Sequence, residues 1–192
     1  MELKEFGIFL LDSLKILLIA LAIVVPVRMF LFQPFVVKGD SMEPNYHSGD
    51  YLIIDELSYR LREPQRGEVV VFKYPLNPSY RYIKRIIALP GEIIELVDGE
   101  VYVTKTDGEK QKIDEDLYIT EETREAWKTM LTYSPITLKS NEYFVMGDNR
   151  NYSSDSRRWG VLPLENMTGK VLLRISLFEV LLNTMNSVNS TN

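Results

Sequence analysis

An uninterrupted apolar run near the N-terminus constrains the fold of this chain more than any other feature. The segment from Ile16 to Val27 reads ILLIALAIVVPV and carries no polar side chain. The wider stretch from Phe9 to Phe32 is long enough for one helix to cross a bilayer, which takes about 20 residues. A helix that is apolar on every face needs apolar surroundings on every side, which favours a bilayer over a protein core. The sequence therefore predicts that residues 1–32 contain a single transmembrane helix.

Charged residues near this run do not fix its orientation. Asp12 and Lys15 are three residues apart, so on a helix they can partly neutralise each other. Arg28 near the other end can extend its side chain to an interface. Lys4 and Lys15 on one side are balanced by Arg28 and Lys38 on the other, which leaves the positive-inside signal open. Bulky residues follow the run, which favours a retained anchor over a cleaved leader.

The remainder of the chain, residues 33–192, has the pattern of a mainly β domain. Short segments rich in β-branched and aromatic residues are bounded by Gly, Pro or Asn, as is typical of strands. These predicted strands lie at 50–55, 67–74, 81–89, 142–146 and 169–178.

A small inserted subdomain is predicted at about 97–140. The clearest hairpin spans 92–103, where Asp98 and Gly99 suit a two-residue turn between apolar runs. The polar segment from Thr104 to Asp116 has the composition of a loop or insertion. The one good helix outside the N-terminal segment is predicted at 123–131, on the basis of apolar pairs four residues apart.

Composition excludes several kinds of site. The formal net charge of -5 and pI of about 5.1, without basic clusters, argue against nucleic-acid binding. The chain has no cysteine, which rules out disulfides, thiolate metal sites and a cysteine nucleophile. Its single histidine, His47, lies six residues after Ser41 and is the only candidate base for a Ser-His triad. With no carboxylate obviously placed to orient it, a surface turn is the better interpretation of His47.

Three segments could carry chemistry. The first, GDSMEP, places Ser41 between Gly39, which lets the backbone bend, and Pro44, which fixes the exit. A serine on such a tight turn can face an incoming carbonyl, although an isolated motif of this kind is more often a surface turn.

The second segment, YRYIKRII, carries Lys84 inside an apolar run. Strand alternation puts Lys84 and Arg85 on opposite faces, so one cation must face a crowded apolar side. A desolvated lysine loses its proton more easily and can act as a general base. An edge strand with both cations in solvent is the alternative.

The third segment, MGDNRNYSSDSRRWG, covers residues 146–160 and concentrates charged and hydroxyl side chains in one loop. Such a loop beside strands is often a hydrogen-bonded scaffold that orients other groups. A solvated loop is the alternative, and Trp159 together with the flanking strands argues against it.

Taken in order, the segments FLFQPFVVKGDSMEPNYHSGDYLII, RGEVVVFKYP, YIKRIIALPGE and YFVMGDNRNYSSDSRRWGVLP resemble the successive sequence boxes of bacterial type I signal peptidases. The resemblance runs from about Phe30 to Ser176. It implies a membrane-anchored Ser/Lys endopeptidase that removes signal peptides after small residues. It also implies an antiparallel β-sheet catalytic domain, no metal or cofactor, and preprotein signal peptides and the lipid bilayer as partners. The catalytic domain would lie outside the cytoplasm and the N-terminus inside.

The same resemblance assigns roles to individual residues. Ser41 would be the nucleophile and its backbone N–H the oxyanion donor, with Lys84 as the general base. Ser153 would orient the Lys84 amine, and Asp155 and Arg157 would form a supporting ion pair. The shallow pockets for small substrate side chains would be lined by Phe35, Val37, Met42, Tyr46, Leu52, Val71, Tyr82 and Ile83.

Some positions depart from the family pattern. Gly39 stands where some members supply a second oxyanion donor from a serine hydroxyl, and Tyr46 stands where a leucine is usual. Two other functions remain possible: a self-cleaving Ser/Lys repressor-type protease and a catalytically silent membrane-anchored binding module. The first would carry an N-terminal DNA-binding module, which the apolar run replaces, and the second would not need both Ser41 and Lys84. The sequence leaves the oligomeric state open.

Overall fold

The structure is a computed structural model that describes residues 3–30, 33–128 and 133–176. The architecture is mainly antiparallel β-sheet, in agreement with the sequence. The strands are β1 (Gln33–Val36), β2 (Tyr51–Asp55), β3 (Val69–Lys73), β4 (Arg81–Ala88), β5 (Ile93–Val97), β6 (Glu100–Thr104), β7 (Lys110–Lys112), β8 (Tyr133–Thr137), β9 (Glu142–Met146), β10 (Leu162–Pro163) and β11 (Met167–Ile175). The helices are α1 (Leu3–Phe30), α2 (Ser58–Leu61), α3 (Glu121–Lys128) and α4 (Ser156–Trp159), with 3₁₀ turns at Arg150–Tyr152 and Leu164–Asn166.

Seven strands form the larger sheet, in the order β1-β2-β11-β3-β4-β9-β10. Every neighbouring pair is antiparallel. Strand β4 is buried along most of its length because it lies between β3 and β9, and it places Lys84 opposite Val70. This central position explains the buried isoleucines Ile83, Ile86 and Ile87, which an edge strand would not need.

Four strands form the smaller sheet, in the order β7-β6-β5-β8. The predicted hairpin is confirmed: β5 and β6 are joined by Asp98 and Gly99, with φ angles of 49° and 75°. Both values suit a two-residue turn that matches the strand twist. The smaller sheet begins at Ile93, and the subdomain boundary of 97–140 stays a prediction.

The interpretation of the segment from Thr104 to Asp116 as a loop is wrong in its centre, which forms β7 at the edge of the smaller sheet. An edge strand can be polar because backbone pairing to β6 holds it without an apolar face. Cross-strand ion pairs add support, with Lys110 Nζ 2.7 Å from Glu95 Oε2 and Lys112 Nζ 2.5 Å from Glu100 Oε2.

The predicted helix at 123–131 is observed as α3, which ends at Lys128. Its Trp127 is 1% exposed and packs in a core cluster with Ile87 and Val101. Met130 and Leu131 of the predicted helix lie outside the described residues, as do positions 177–178 of the last predicted strand.

Along the part of helix α1 whose side chains are described, residues 6–22, most exposed side chains are apolar. Those described include Phe9 and Ile16, which are 64% and 69% exposed. The predicted pairing of Asp12 with Lys15 is present, with 3.6 Å between Oδ1 and Nζ. Within the described parts of the chain, we find no helix with the length and sustained hydropathy of a membrane-spanning segment.

Candidate active site

Ser41 lies in a tight turn that follows β1. Gly39 has a φ of 86°, a left-handed conformation that favours glycine. The turn is closed by hydrogen bonds from Glu43 N–H to Asp40 O, at 3.2 Å, and from Asn45 N–H to Met42 O, at 3.0 Å. The side chain of Ser41 is only partly buried, so the nucleophile candidate remains accessible.

Lys84 meets this turn from the middle of β4. Its Nζ lies 2.6 Å from Ser41 Oγ, and it donates a second hydrogen bond of 2.7 Å to Ile83 O. The lysine is only 3% exposed. The structure therefore brings together the two residues that the sequence singled out, although 43 positions separate them in the chain.

Burial lowers the pKa of Lys84 to about 8, because a charged ammonium in this apolar position loses its water shell. The negative charges of Asp155 and Asp148 oppose this effect, and the positive charge of Arg157 reinforces it. Among the described residues, no carboxylate lies within ion-pair distance of Lys84. About one tenth of the amine is therefore unprotonated at pH 7 and most of it at pH 9, and the unprotonated form is the one that a general base requires.

Asp155 and Arg157 form a buried ion pair behind the lysine. Arg157 Nε and Nη2 donate to the two Asp155 carboxylate oxygens at 2.8 Å each. Asp155 also accepts a hydrogen bond of 2.9 Å from Gly147 N–H. Burial alone would raise the pKa of Asp155, but the arginine and these hydrogen bonds hold it below its ordinary value.

Ser153 is buried beside this pair. Its Oγ has no hydrogen-bond partner of normal geometry among the described residues, so the expected bond to Lys84 is not formed in this structure. The hydroxyl lies near enough to the Asp155 carboxylate to contribute to lowering its pKa. The role of Ser153 in orienting the amine stays a prediction.

His47 is exposed, and its backbone N–H is bonded to the Asp50 carboxylate at 2.9 Å. The Ser41 hydroxyl instead contacts Lys84. This geometry fits a surface turn better than a triad member. No group of three or more metal-ligating side chains converges within the described residues.

A groove of about 570 Å³ opens at Ser41 and Lys84. One wall comes from residues 35–36 and 38–41 and the other from residues 79–84, with Tyr152 and Ser154 also in its lining. Backbone from β1 and β4 therefore flanks the serine on both sides. An extended peptide lying in this groove would present a carbonyl to Ser41.

A family model described as signal peptidase, peptidase S26, matches residues 10–176. The chain belongs to this family. It is 35% identical to a probable signal peptidase I-1 of Synechocystis, over 86% of this chain and 82% of the relative. Signal peptidases I of Aquifex aeolicus and Bacillus licheniformis are each 33% identical over 83% of this chain, and the matches cover 81% and 85% of those proteins. The chain is therefore a serine endopeptidase, and as a signal peptidase it removes signal peptides.

The residues expected to line the family's substrate pockets fall into three groups. Phe35, Tyr82 and Ile83 line the groove. Tyr46 contributes instead to a separate cavity beside Arg85. The others do not line the groove but lie almost fully buried in a core cluster that includes Ile83 and packs against Phe35: Val37, Met42, Leu52 and Val71.

Sequence reasoning missed Gly147, where the polar loop of residues 146–160, the candidate catalytic loop, touches the turn that carries Ser41. A Cβ atom at this position would lie 2.3 Å from Ser41 O and 2.3 Å from Ser153 Oγ. Only glycine allows so close an approach of the two backbones. The residue was visible within the polar loop segment, but nothing local in the sequence indicates what packs against it.

Two further ion pairs hold the loop and were also missed. Arg85 binds Asp148 through two hydrogen bonds, of 2.8 and 2.6 Å. The fully buried Arg150 binds Glu115, a residue that follows β7, through both of its terminal nitrogens. The loop is thus attached to β4 on one side and to the segment between β7 and α3 on the other.

Proposed function

We propose that this signal peptidase cleaves exported preproteins with Ser41 as the nucleophile and Lys84 as the general base. The observation that supports this proposal most strongly is the 2.6 Å distance between Lys84 Nζ and Ser41 Oγ at a buried lysine. Serine is a weak nucleophile without an adjacent base, and lysine is a base only when it is neutral. A lysine with a pKa of about 8 is neutral in about one tenth of molecules at pH 7 and in most of them at pH 9, far more than a lysine with the ordinary pKa of 10.5.

In the proposed reaction, neutral Lys84 takes the Ser41 hydroxyl proton as Oγ forms a bond to the scissile carbonyl carbon. The carbonyl electrons move to oxygen, and the Ser41 backbone N–H donates to the resulting oxyanion. When the C–N bond breaks, Lys84 returns the proton to the leaving amine. Lys84 then activates a water molecule that hydrolyses the acyl-enzyme and frees the signal peptide.

The loop carries the supporting roles. Asp155 and Arg157 hold Gly147 in contact with the serine turn, and Ser153 orients the Lys84 amine once substrate has entered. The groove walls at Phe35, Tyr82 and Ile83 restrict the residues on the acyl side of the cleaved bond to small side chains.

We further propose that α1 anchors the enzyme in the membrane as a single span, with the N-terminus cytoplasmic and the catalytic domain outside. Two observations support an anchor: the apolar run from Ile16 to Val27, and the exposure of apolar side chains such as Phe9 on α1. Signal-peptide cleavage sites emerge just beyond the bilayer, where a serine close to the end of this helix would meet them. Protease added to intact spheroplasts should digest the catalytic domain; complete protection until lysis would contradict this orientation.

The test of function is cleavage of a purified preprotein by the detergent-solubilised full chain beside its Ser41→Ala variant. We expect the wild type to release the signal peptide at an A-x-A site, and to leave intact a preprotein whose two alanines are replaced by phenylalanine. The Ser41→Ala variant should release none. Absence of cleavage by the wild type would favour a silent binding module, and equal cleavage by the variant would refute the nucleophile.

A further inference from the structure

Asn149 makes two hydrogen bonds to the serine turn that the mechanism above does not use. Its side-chain Nδ2 donates to Asp40 O at 3.1 Å, and its backbone N–H donates to Ser41 O at 3.2 Å. These two carbonyl groups belong to the peptide units on either side of Ser41. One residue of the catalytic loop is therefore bonded to both peptide planes that flank the nucleophile.

The bond to Asp40 O acts on the proposed oxyanion donor. Asp40 C=O and Ser41 N–H belong to one planar peptide unit, and in a trans peptide they point in opposite directions. A hydrogen bond that fixes the carbonyl thus also fixes the direction of the N–H. It polarises the same unit as well, which strengthens the N–H as a donor. Since Nδ2 lies on the carbonyl side, Asn149 would act through the peptide and not on the oxyanion itself.

The upstream side of the turn gives this peptide little support. Gly39 is exposed, and a Cβ atom placed there would meet no heavy atom within 4 Å. Its N–H is held only by a long hydrogen bond of 3.3 Å to Ser48 Oγ. Within the turn, Asp40 O accepts one other hydrogen bond, from Glu43 N–H at 3.2 Å. The Asn149 amide is therefore the one side chain among the described residues that tethers Asp40 O from outside the turn.

We propose that Asn149 is a positioning residue that sets the direction of the Ser41 N–H toward the developing oxyanion. This inference rests on the proposed Ser41 and Lys84 mechanism. Gly39 has no hydroxyl that could donate to the oxyanion, so in the proposed mechanism the Ser41 N–H is the donor that stabilises it. The rate therefore depends more strongly on the direction of this N–H than it would with a second donor. Loss of the Asn149 side chain should therefore slow only the step in which negative charge forms on the carbonyl oxygen.

The test compares Asn149→Ala and Asn149→Asp with wild type in the full chain. Alanine removes the side-chain donor and keeps the backbone bond to Ser41 O. Aspartate has nearly the same shape but no N–H to donate. The matched control is Asn166→Ala, because Asn166 Nδ2 also donates to a backbone carbonyl at 3.1 Å, that of Lys73. Like Asn149, Asn166 does not line the groove.

Four measurements distinguish positioning from a merely structural role: kcat, KM, the thermal melting temperature and inhibition by a peptide aldehyde. The aldehyde carbon accepts Ser41 Oγ and its oxygen becomes an oxyanion, so its affinity reports the same N–H. We expect both Asn149 variants to lower kcat about 10-fold, which is less than the 10²–10³-fold loss from removing an oxyanion donor outright. The aldehyde should bind more weakly by a similar factor in both variants, while KM stays within roughly twofold of wild type. The pH dependence should stay within roughly 0.3 unit of wild type in Asn149→Ala, which adds no charge.

Unchanged kcat and aldehyde affinity in both variants would overturn the inference, as would losses accompanied by a melting temperature well below that of Asn166→Ala. These outcomes leave the proposed mechanism intact as long as Ser41→Ala and Lys84→Ala are inactive. If those two variants retain activity, the mechanism itself fails, whatever Asn149 does.

Discussion

Lys84 and Arg85 are neighbours on β4, yet the two faces of the strand treat their charges in opposite ways. Lys84 faces Ser41 and has no carboxylate at ion-pair distance among the described residues. Arg85 faces the other side, where it binds Asp148 through two hydrogen bonds and stacks over the Tyr118 ring at 4.2 Å. Strand β4 therefore carries one basic residue with an ion-pair partner, Arg85, and one without such a partner among the described residues, Lys84.

The pKa values follow from this difference. Burial lowers the pKa of Lys84 to about 8. Burial also acts to lower the pKa of Arg85, but the hydrogen bonds and charge of Asp148 overcome it and raise the pKa above its ordinary value. Strand alternation thus separates a cation suited to proton transfer from a cation suited to holding the catalytic loop. Burial of Lys84 without a carboxylate partner in the described part of the chain destabilises the fold, and the same burial gives the lowered pKa that the proposed general base needs.

The largest expected effect is on turnover. Ser41→Ala and Lys84→Ala should each lower kcat by about 10³-fold or more, and the double variant should be little worse, because residues that act as a unit are not additive. The check is preprotein cleavage with all three variants beside His47→Ala, the control. His47→Ala should retain most activity. Activity retained in either single variant, or losses that multiply in the double variant, would refute a Ser/Lys dyad.

The two faces should also differ in the sign of their effect on stability. A pKa lowered from 10.5 to about 8 corresponds to up to about 3 kcal/mol of destabilisation by Lys84. This penalty is complete below pH 8 and disappears as the pH rises through 10.5, since the unfolded state binds the proton more tightly. Lys84→Met should therefore raise the free energy of unfolding at pH 7 and lose that advantage near pH 10.5.

Arg85→Met is the matched variant on the other face. It should lower the free energy of unfolding by about 3 kcal/mol, because it removes the ion-pair partner of the buried Asp148 carboxylate and leaves only the hydrogen bond from Asn45 Nδ2. Denaturant unfolding of both variants at pH 7 checks the comparison. Changes of the same sign would show that the two faces do not differ in the way described here.

A smaller effect tests the charges around the lysine. Asp155 raises the pKa of Lys84 and Arg157 lowers it, so the ion pair between them limits the influence of the carboxylate. Arg157→Met should move the rising part of the pH–rate profile to higher pH. Arg158→Met, at the adjacent exposed arginine, should leave it in place. A profile of Arg157→Met that moves to lower pH, or coincides with that of Arg158→Met, would contradict this description.

The sequence predicted the parts of this arrangement that depend on local pattern. Alternation correctly put Lys84 and Arg85 on different faces, and the Asp98-Gly99 turn fixed the hairpin. The prediction that one of the two cations would face an apolar environment was incomplete. Both side chains are shielded from solvent, and the charge of Arg85 is balanced by Asp148, which is 63 positions away in the chain. Partners at such separations depend on tertiary packing, which leaves no local periodicity to detect.

The same limit explains the other misses. The polar strand β7 carries no apolar alternation, because pairing to β6 holds it at a sheet edge. Gly147 and Asn149 were visible only as members of a polar loop, since their contacts with the serine turn join segments about 100 residues apart. Val37 and Leu52 have the residue types of pocket walls, but their burial in a core cluster follows only from the packing of the assembled sheet.

The most direct test of the central claim, that Lys84 is a neutral base for Ser41, is the pH dependence of kcat/KM for preprotein cleavage by the wild type. A pKa of about 8 makes about one tenth of the amine neutral at pH 7 and most of it neutral at pH 9. We therefore predict that kcat/KM rises by roughly 10-fold between these values and then levels off. A rate that keeps rising toward pH 10.5, as for an ordinary exposed lysine, or that does not change between pH 7 and 9, would contradict the account.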